Sequence, residues 1–176
     1  IGNEKFTFLT DIGVFSKDEI DYGSFVFILE LLKQKPVDTL LDVGCGYGVI
    51  GLILTYFGQC QTADLVDINP RALDLTLQNA KNLSLKNIEV YYSDGFSNVH
   101  KNYDRIVMNP PIRAGKKVIY KMFEDAFDHL LEGKELWIVI KKDLGALSAQ
   151  KKLLEIFSNV HVVLKHKGYW VLQAIK

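Results

Sequence analysis

Residues 39–51 read Thr-Leu-Leu-Asp-Val-Gly-Cys-Gly-Tyr-Gly-Val-Ile-Gly. The apolar run Thr39–Val43 predicts a buried strand that leads directly into the glycine turn Gly44–Gly48. Glycine adopts the positive φ angles that a sharp turn requires, and it lets a ligand approach the backbone closely. The stretch Val49–Phe57 predicts a helix whose first N–H groups are free for a ligand. A strand, a glycine turn and a helix in this order are typical of a site for a nucleotide-like ligand.

Short apolar runs alternate with amphipathic stretches along the rest of the chain. The apolar runs predict strands at Thr39–Val43, Thr62–Val66, Ile88–Tyr92, Arg105–Met108, Glu135–Ile140, Val160–Lys165 and Tyr169–Ile175. The amphipathic stretches predict helices at Asp21–Lys33, Val49–Phe57, Pro70–Leu83, Lys117–Leu131 and Leu144–Phe157. In the third helix Asn69 is the expected N-cap and Pro70 the first helical residue. The apolar face expected for that helix comprises Leu73, Leu77, Ala80 and Leu83.

Strands that alternate with helices predict an α/β fold of three layers, in which helices cover both faces of a sheet. We expect a mostly parallel, seven-stranded sheet. The short turn Lys167-Gly168 predicts that the last two strands form an antiparallel hairpin at or near one edge. Phe6–Leu9 is expected to add a short strand before the core.

Length and composition restrict the class of protein. The chain has 176 residues and no net charge, so we expect one domain, residues 1–176, in which residues 1–35 flank the ligand pocket. A global basic field for nucleic acid is absent, although a local basic patch remains possible. Cys45 and Cys60 are too few for a disulfide scaffold and lack metal-ligand spacing, so no metal is expected. Free thiols and the lack of a membrane-length apolar run predict a cytoplasmic protein.

Two carboxylates bear on the identity of the ligand. The stretch Gly46–Gly51 also fits the dinucleotide pattern G-x-G-x-x-G. Asp67 follows about twenty residues later, where a carboxylate can accept both ribose hydroxyls of either kind of cofactor. Asp42, directly before the turn, suits a cofactor that carries an amine and a sulfonium and would repel a pyrophosphate. The sequence therefore favours S-adenosylmethionine, with a nicotinamide-dependent dehydrogenase as the alternative.

Two further aspartates lie at the ends of predicted strands. Ser93-Asp94-Gly95 closes the third strand, and Asp94 is a candidate acceptor for the adenine amino group. The alternative is a loop carboxylate that caps the next turn. Asp104 opens the fourth strand and is expected to order the start of that strand.

The fourth strand ends in Asn109-Pro110-Pro111-Ile112, at the edge of the sheet where ligands bind in this architecture. Two prolines stiffen the backbone and remove N–H donors. The Asn109 side-chain oxygen and the Pro110 carbonyl remain as rigid acceptors, which can take both hydrogens of a planar –NH2 group. The alternative is a proline-rich turn in which Asn109 is a cap.

Here the chain resembles a known family. Asp42–Gly48, Asp67, Asp94 and Asn109–Ile112 have the order and spacing of class I S-adenosylmethionine-dependent methyltransferases of the Asn-Pro-Pro type, which have a Rossmann-like fold. These enzymes methylate an amino or amide nitrogen.

Other segments narrow the resemblance. The segments Gly13-Val14-Phe15-Ser16 and Asp21-Tyr22-Gly23-Ser24, together with residues 109–116, are similar to the RsmC-type methyltransferases of guanine N2 in 16S ribosomal RNA, in a short single-domain form. Adenine-N6 and glutamine-amide relatives usually carry Tyr or Phe where this chain has Ile112. The absence of that aromatic side chain argues against adenine and glutamine as targets.

The resemblance also implies roles for individual residues. It implies that Asn109, Pro110, Pro111 and Ile112 hold the target amine. It implies a cofactor site formed by Phe15, Asp42, Gly44, Cys45, Gly46, Gly48, Asp67, Ile68, Asp94, Gly95 and Asn109.

The expected partner is ribosomal RNA or the small ribosomal subunit, bound through local basic residues. The candidates are Arg113, Lys116 and Lys117 after the Asn-Pro-Pro turn, and Lys141 and Lys142 at the end of the fifth strand. Solvated surface lysines are the alternative for each cluster. Other open functions are methylation of 23S guanine, adenine N6 or a protein glutamine, and a non-catalytic RNA-binding assembly factor.

Overall fold

The computed structural model describes residues 1, 3–11 and 20–176. Within these ranges the helices are α1 (Tyr22–Leu31), α2 (Val49–Tyr56), α3 (Pro70–Asn82), α4 (Lys116–Asp128) and α5 (Ala146–Ile156). The strands are β1 (Val37–Val43), β2 (Cys60–Asp67), β3 (Ile88–Tyr92), β4 (Tyr103–Met108), β5 (Leu130–Lys141), β6 (Asn159–His166) and β7 (Tyr169–Ile175). Short 3₁₀ turns occupy Ile112–Ala114 and Lys142–Leu144.

The strands form one seven-stranded sheet in the order β3-β2-β1-β4-β5-β7-β6. Strands β1 to β5 pair in parallel, whereas β7 is antiparallel to both β5 and β6. The predicted α/β, Rossmann-like fold with an antiparallel terminal hairpin is therefore confirmed. The strand order reverses between β1 and β4, which is where such sheets place a ligand crevice.

Helices cover both faces of the sheet because the central strands are apolar on both faces. Helices α1, α2 and α3 pack on one face, where Phe27 and Leu52 are fully buried. Helices α4 and α5 pack on the other face, where Phe123 and Leu153 are fully buried. No helix in the described part of the chain is both long and apolar enough to cross a membrane.

Local capping explains where two helices begin. Asp21 accepts a hydrogen bond from the Ser24 N–H and starts α1. Asn69 accepts from the Arg71 N–H and starts α3 at Pro70, as predicted. The predicted end of α4 is too late, because Leu130 is buried and pairs with Tyr103 as the first residue of β5.

The predicted strand at Phe6–Leu9 is wrong. The Leu9 N–H donates to the Asn79 side chain (2.7 Å), and the Leu9 carbonyl accepts from the same side chain (3.0 Å). The rings of Phe6 and Phe8 pack against aromatic side chains instead of lying in a sheet. A side chain of α3 thus satisfies the backbone groups that a strand would have used.

The start of β4 is ordered by charged side chains. Asp104 accepts from the Thr39 N–H and hydroxyl, both at 3.0 Å, and pairs with Lys134. The prediction that Asp104 orders this strand is confirmed. Its neighbour Arg105, only 3% exposed, pairs with Glu135 and so joins β4 to β5.

Candidate cofactor and substrate site

The carboxyl ends of β1, β2 and β4 meet at one edge of the sheet. The glycine turn follows β1, Asp67 ends β2, and the segment that begins at Asn109 follows β4. Since β1 lies between β2 and β4, the predicted cofactor and target residues lie on adjacent strands.

The glycine turn is fixed to the end of β2 by its own backbone. The N–H groups of Gly44 and Cys45 both donate to the Val66 carbonyl, at 2.8 and 3.0 Å. The Gly46 N–H donates to Asp67 Oδ2 at 2.8 Å. Gly44, Gly46 and Gly48 have φ angles of 72°, 58° and 89°, which favour glycine.

The glycines of the turn differ in what surrounds them. A Cβ atom added at Gly44 or Gly46 would meet no heavy atom within 4 Å, so this side of the turn is open. A Cβ at Gly48 would lie 2.8 Å from Leu52 and Thr76, and one at Gly51 would lie 2.8 Å from Leu65. The third glycine of the dinucleotide-like pattern therefore serves the packing of α2 on β2. The open side leaves room for a ligand against the backbone.

Asp42 lies beneath the turn and is 1% exposed. Its Oδ2 accepts from the Gly51 N–H at 2.8 Å, whereas its Oδ1 is buried without a hydrogen-bond partner among the described residues. Burial raises the pKa of this carboxyl to about 7, the Gly51 hydrogen bond lowers it, and the charge of Asp67 raises it further. A cationic ligand group near the turn would relieve this cost, so the site fits a cofactor with an amine and a sulfonium.

Asp67 and Ile68 form the next part of the edge. Asp67 Oδ1 accepts from the Asn69 N–H at 2.8 Å, and Oδ2 accepts from Gly46. A carboxylate has about four acceptor positions, so two remain for hydroxyl groups. Ile68 is 54% exposed and offers apolar surface beside them.

The loop after β3 carries Asp94 and Gly95. Asp94 is exposed, and its backbone N–H donates to Ser97 Oγ at 3.1 Å. Gly95 has a φ of 54° and is half-buried. The loop lies after β3, at the same edge as Asp67.

Asn109 is held in one orientation by α1. Its Nδ2 donates to Ser24 Oγ at 3.1 Å, and Ser24 is 3% exposed. The amide oxygen of Asn109 is therefore left to accept from another group. Pro110 is buried and Pro111 is exposed, while Ile112 is half-buried against the core under α4 and α5.

Three polar residues of the site were not predicted from the sequence. Ser24 orients Asn109, although the two lie 85 residues apart in the sequence. Thr76 donates to the Gly46 carbonyl at 2.8 Å, and Asn79 donates to the Tyr47 carbonyl at 3.0 Å. Thr76 and Asn79 could have been recognised as site residues because they are polar residues on the buried face of α3.

The predicted apolar face of α3 is partly wrong for the same reason. Leu77 is 51% exposed, whereas Thr76 and Asn79 are buried. The helix turns its hydrogen-bonding side chains toward the glycine turn, and Leu77 faces solvent. Cys45 also points inward, with its Sγ 3.8 Å from Thr76 Oγ1, while its N–H donates to Val66 and its carbonyl accepts from the Gly48 N–H.

The predicted basic residues are exposed around the site. Arg113 lies in the 3₁₀ turn after the prolines, and Lys116 and Lys117 begin α4. Lys141 ends β5 at the same edge of the sheet, and Lys142 begins the 3₁₀ turn that follows. Phe15 and the rest of the segment 13–16, predicted to line the cofactor pocket, lie outside the described residues.

Comparisons with known proteins give consistent matches. Residues 5–173 match the family model described as Methyltransferase small domain. The chain is 47% identical to the Bacillus subtilis "Uncharacterized protein YbxB", over 99% of this chain and 88% of that protein. It is 37% identical to Ribosomal RNA small subunit methyltransferase C of Aeromonas hydrophila, over 78% of this chain and 41% of that protein. The chain thus spans less than half the length of that relative.

A solved structure has a similar fold. It is the T. thermophilus 16S rRNA guanine-N2 methyltransferase RsmC in complex with AdoMet and guanosine. The TM-score is 0.85 at 26% identity, and the match covers 97% of this chain and 47% of that chain.

The raised pKa of Asp42 predicts a pH-dependent stability. Between pH 4 and pH 7 the folded chain holds a proton on Asp42 that the unfolded chain has released, so stability falls as the pH rises. The free energy of unfolding of the wild type, minus that of Asp42→Asn, should fall by about 1.4 kcal/mol per pH unit in this window. Urea unfolding at several pH values measures it.

Asp74→Asn, which changes an exposed carboxylate on α3, is the matched control. Its stability should follow that of the wild type across the same pH range. Parallel curves for the wild type and Asp42→Asn would show that Asp42 is not a buried group with a raised pKa.

Proposed function

The chain belongs to the methyltransferase small domain family, and from that premise we propose that it methylates the exocyclic N2 amine of a guanine in 16S ribosomal RNA. The methyl donor in this proposal is S-adenosylmethionine, which supplies an electrophilic methyl group on a sulfonium centre when bound. The match to the AdoMet and guanosine complex of RsmC supports both assignments.

The cofactor residues in this proposal are those at the ends of β1, β2 and β3. The open backbone at Gly44 and Gly46 receives the methionine part, and Asp42 acts on its cationic groups from beneath the turn. Asp67 accepts from the ribose hydroxyls with its two remaining acceptor positions. Around these lie Cys45 and Gly48 through their backbone, Ile68 through its apolar surface, Asp94 and Gly95 toward the adenine, and Phe15.

The orientation of Asn109 is the observation that carries the substrate assignment. Because Nδ2 donates to Ser24 Oγ, Oδ1 is the group left to face a donor. An amine is such a donor, whereas a carbonyl is not. Pro110 adds a second acceptor through its carbonyl, and the two prolines bring no competing N–H group.

Acceptors held in this way also favour the reaction. The amine nitrogen gains positive charge as it forms its new bond to the methyl carbon, while the bond from that carbon to sulfur breaks and its electron pair stays on sulfur. The nitrogen loses the charge when one of its two hydrogens leaves as a proton to solvent. Oxygens that already point at its hydrogens stabilise that charge without reorganising. Asn109 and Pro110 also position the nitrogen for the transfer.

Guanine is favoured over the other amine-bearing targets by the fourth residue of the turn. Ile112 packs against the core and has no aromatic face on which adenine could stack. The exposed residues Arg113, Lys116, Lys117, Lys141 and Lys142 surround this position and offer positive charge to RNA phosphates. These observations support ribosomal RNA, or the small ribosomal subunit, as the partner.

The substrate is tested by transfer of a tritiated methyl group from labelled cofactor. The acceptors are small and large ribosomal subunits and their free RNA, isolated from cells in which the gene is deleted. The expected product is N2-methylguanosine in 16S RNA. Label in 23S RNA alone, in N6-methyladenosine or in a protein glutamine would contradict the assignment, and so would the absence of transfer to any acceptor.

The role of Asn109 is tested by its replacement. Asn109→Ala should slow methyl transfer by about 2.7–4 kcal/mol, or roughly 10²–10³-fold, the cost of losing one preorganised polar group. Ser24→Ala should cost about 0.5–1.5 kcal/mol, since the amide oxygen remains but is free to rotate. Single-turnover rates measure both effects.

Cofactor affinity, measured by calorimetry, should stay the same in Ser24→Ala, because Ser24 is assigned no contact with the cofactor. Ser158→Ala, which changes an exposed serine in the turn before β6 at the opposite edge of the sheet, is the control for the loss of a hydroxyl. Wild-type rates in Asn109→Ala would rule out the proposed contact with the target amine.

A further inference from the structure

The tip of the β6–β7 hairpin carries a basic depression beside the candidate site. It has a volume of about 420 Å³ and is lined by Lys142, Lys165, His166, Lys167, Tyr169 and Trp170. We call it the hairpin depression.

The hairpin depression lies at the same edge of the sheet as Asn109. Strand β7 is antiparallel to β5, and Tyr169 pairs with Lys141 at the carboxyl end of β5. The Lys142 N–H donates to the Gly168 carbonyl at 2.7 Å, which ties the tip of the hairpin to the end of β5. Since β5 lies next to β4, the hairpin tip and Asn109 are separated by one strand.

Two lysines of the depression are held by aromatic rings. Lys165 Nζ lies 3.9 Å from the centroid of the Trp170 ring, and Lys167 Nζ lies 5.1 Å from the centroid of the Tyr22 ring. An ammonium group is attracted to the face of an aromatic ring. This attraction positions the charge without neutralising it.

Some other lysines in the described part of the chain are neutralised by carboxylates. Lys101, Lys134 and Lys152 each pair with an acidic side chain at 2.7–2.9 Å. Neither Lys165 nor Lys167 has a carboxylate within ion-pair distance among the described residues. The hairpin depression therefore concentrates positive charge on a chain that has no net charge.

The backbone conformation at the tip of the hairpin also supports a binding role for Lys167. Lys167 and Gly168 have φ angles of 44° and 80°, as in a two-residue hairpin turn in which both central residues are left-handed. Asn, Asp and Gly favour the first of these positions, and a lysine there is strained. The turn would form more easily with Asn, Asp or Gly at position 167, so turn formation does not explain the lysine. The placement of its ammonium group over the Tyr22 ring is a functional reason for a lysine at this position.

Helix α1 connects the hairpin depression to Asn109. The Tyr22 ring lies 6.0 Å from the His166 ring, and Ser24 is hydrogen-bonded to Asn109. A Cβ atom at Gly23 would lie 2.6 Å from Tyr169, so glycine allows the helix to pack directly on the hairpin. The first turn of α1 thus connects the hairpin depression to Asn109, the residue proposed to hold the target amine.

We propose that the hairpin depression binds phosphates of the RNA strand beside the target guanine. The proposal rests on the proposed function, because it takes RNA as the substrate. A polyanionic strand fits positioned, unneutralised cations at the edge of an active site, since phosphate contacts fix the register of a nucleic acid. Lys165 and Lys167 supply the charge, and Trp170 and Tyr22 hold it in place.

The test removes the two charges without disturbing the turn. The double variant Lys165→Gln, Lys167→Asn keeps a polar side chain at 165 and introduces a residue that favours the left-handed region at 167. The matched control is Lys81→Gln, Lys86→Asn, which removes two exposed charges at the end of α3 and in the loop before β3. Binding of the wild-type enzyme's RNA acceptor is measured by filter binding between 50 and about 200 mM salt.

The hairpin variant should show a smaller salt dependence of binding, with the slope of log K against log salt reduced by about 1.4–1.8 for two lost phosphate contacts. Its KM for RNA should rise tenfold or more. Its affinity for S-adenosylmethionine should match that of the wild type, which shows that it is folded. The control variant should keep the wild-type slope and KM.

Two other outcomes overturn the proposal. An unchanged slope and KM in the hairpin variant would show that the depression does not contact RNA. Equal changes of the slope and of KM in the hairpin variant and the control variant would show that RNA binding depends only on the overall charge of the protein. If the wild type methylates RNA and either result is found, the hairpin proposal alone fails. If the wild type neither binds nor methylates RNA, the proposed function itself fails.

Discussion

A buried carboxylate beneath a glycine turn is the constraint on which the site depends. Asp42 uses one oxygen to hold the Gly51 N–H at the start of α2, and burial raises the pKa of its carboxyl to about 7. Such a group is costly in the free protein, since nothing in the described chain satisfies its second oxygen. A cation beside the turn removes that cost. The same residue therefore fixes the geometry of the turn and gives it a preference for a positively charged ligand.

The strand order turns this local feature into a two-part site. Because β1 lies between β2 and β4, the turn after β1 has Asp67 on one side and Asn109 on the other. The β2 side offers acceptors for hydroxyl groups, and the β4 side offers acceptors for an amine. Helix α1 closes the second part by orienting the Asn109 amide through Ser24. The reversal of strand order between β1 and β4 thus places the two groups of acceptors side by side at one edge of the sheet.

Local patterns predicted most of the sheet and helices, because each depends on residues close in sequence. The cap at Asn69 and the turn at Lys167-Gly168 are examples. The errors come from contacts between distant residues. Asn79 takes the backbone bonds of Leu9 and so prevents a strand, 70 residues away. The placement of Leu77 on the buried face of α3 was also wrong, because it was predicted from hydrophobicity alone.

In the candidate site, too, the features that depend on nearby residues were predicted and those that depend on distant contacts were not. The positions of Asp42, Asp67 and Asn109 follow from strands that end at one edge, which the sequence predicted. The role of Ser24 does not follow from its neighbours in the sequence, since its partner Asn109 lies 85 residues away. The hairpin depression depends on lysines that lie over rings of other elements, such as Lys167 over Tyr22. Runs of charge in the sequence do not distinguish these lysines from solvated ones.

The preference of the turn for a cationic cofactor can be measured by calorimetric titration with S-adenosylmethionine and with NAD, at pH 7 in two buffers of different ionisation enthalpy. S-adenosylmethionine should bind and NAD should not. Binding should release up to about half a proton, because the cation lowers the raised pKa of Asp42, and Asp42→Asn should abolish this release. Binding of NAD in place of S-adenosylmethionine, or the same proton release in both proteins, would contradict the proposed role of Asp42.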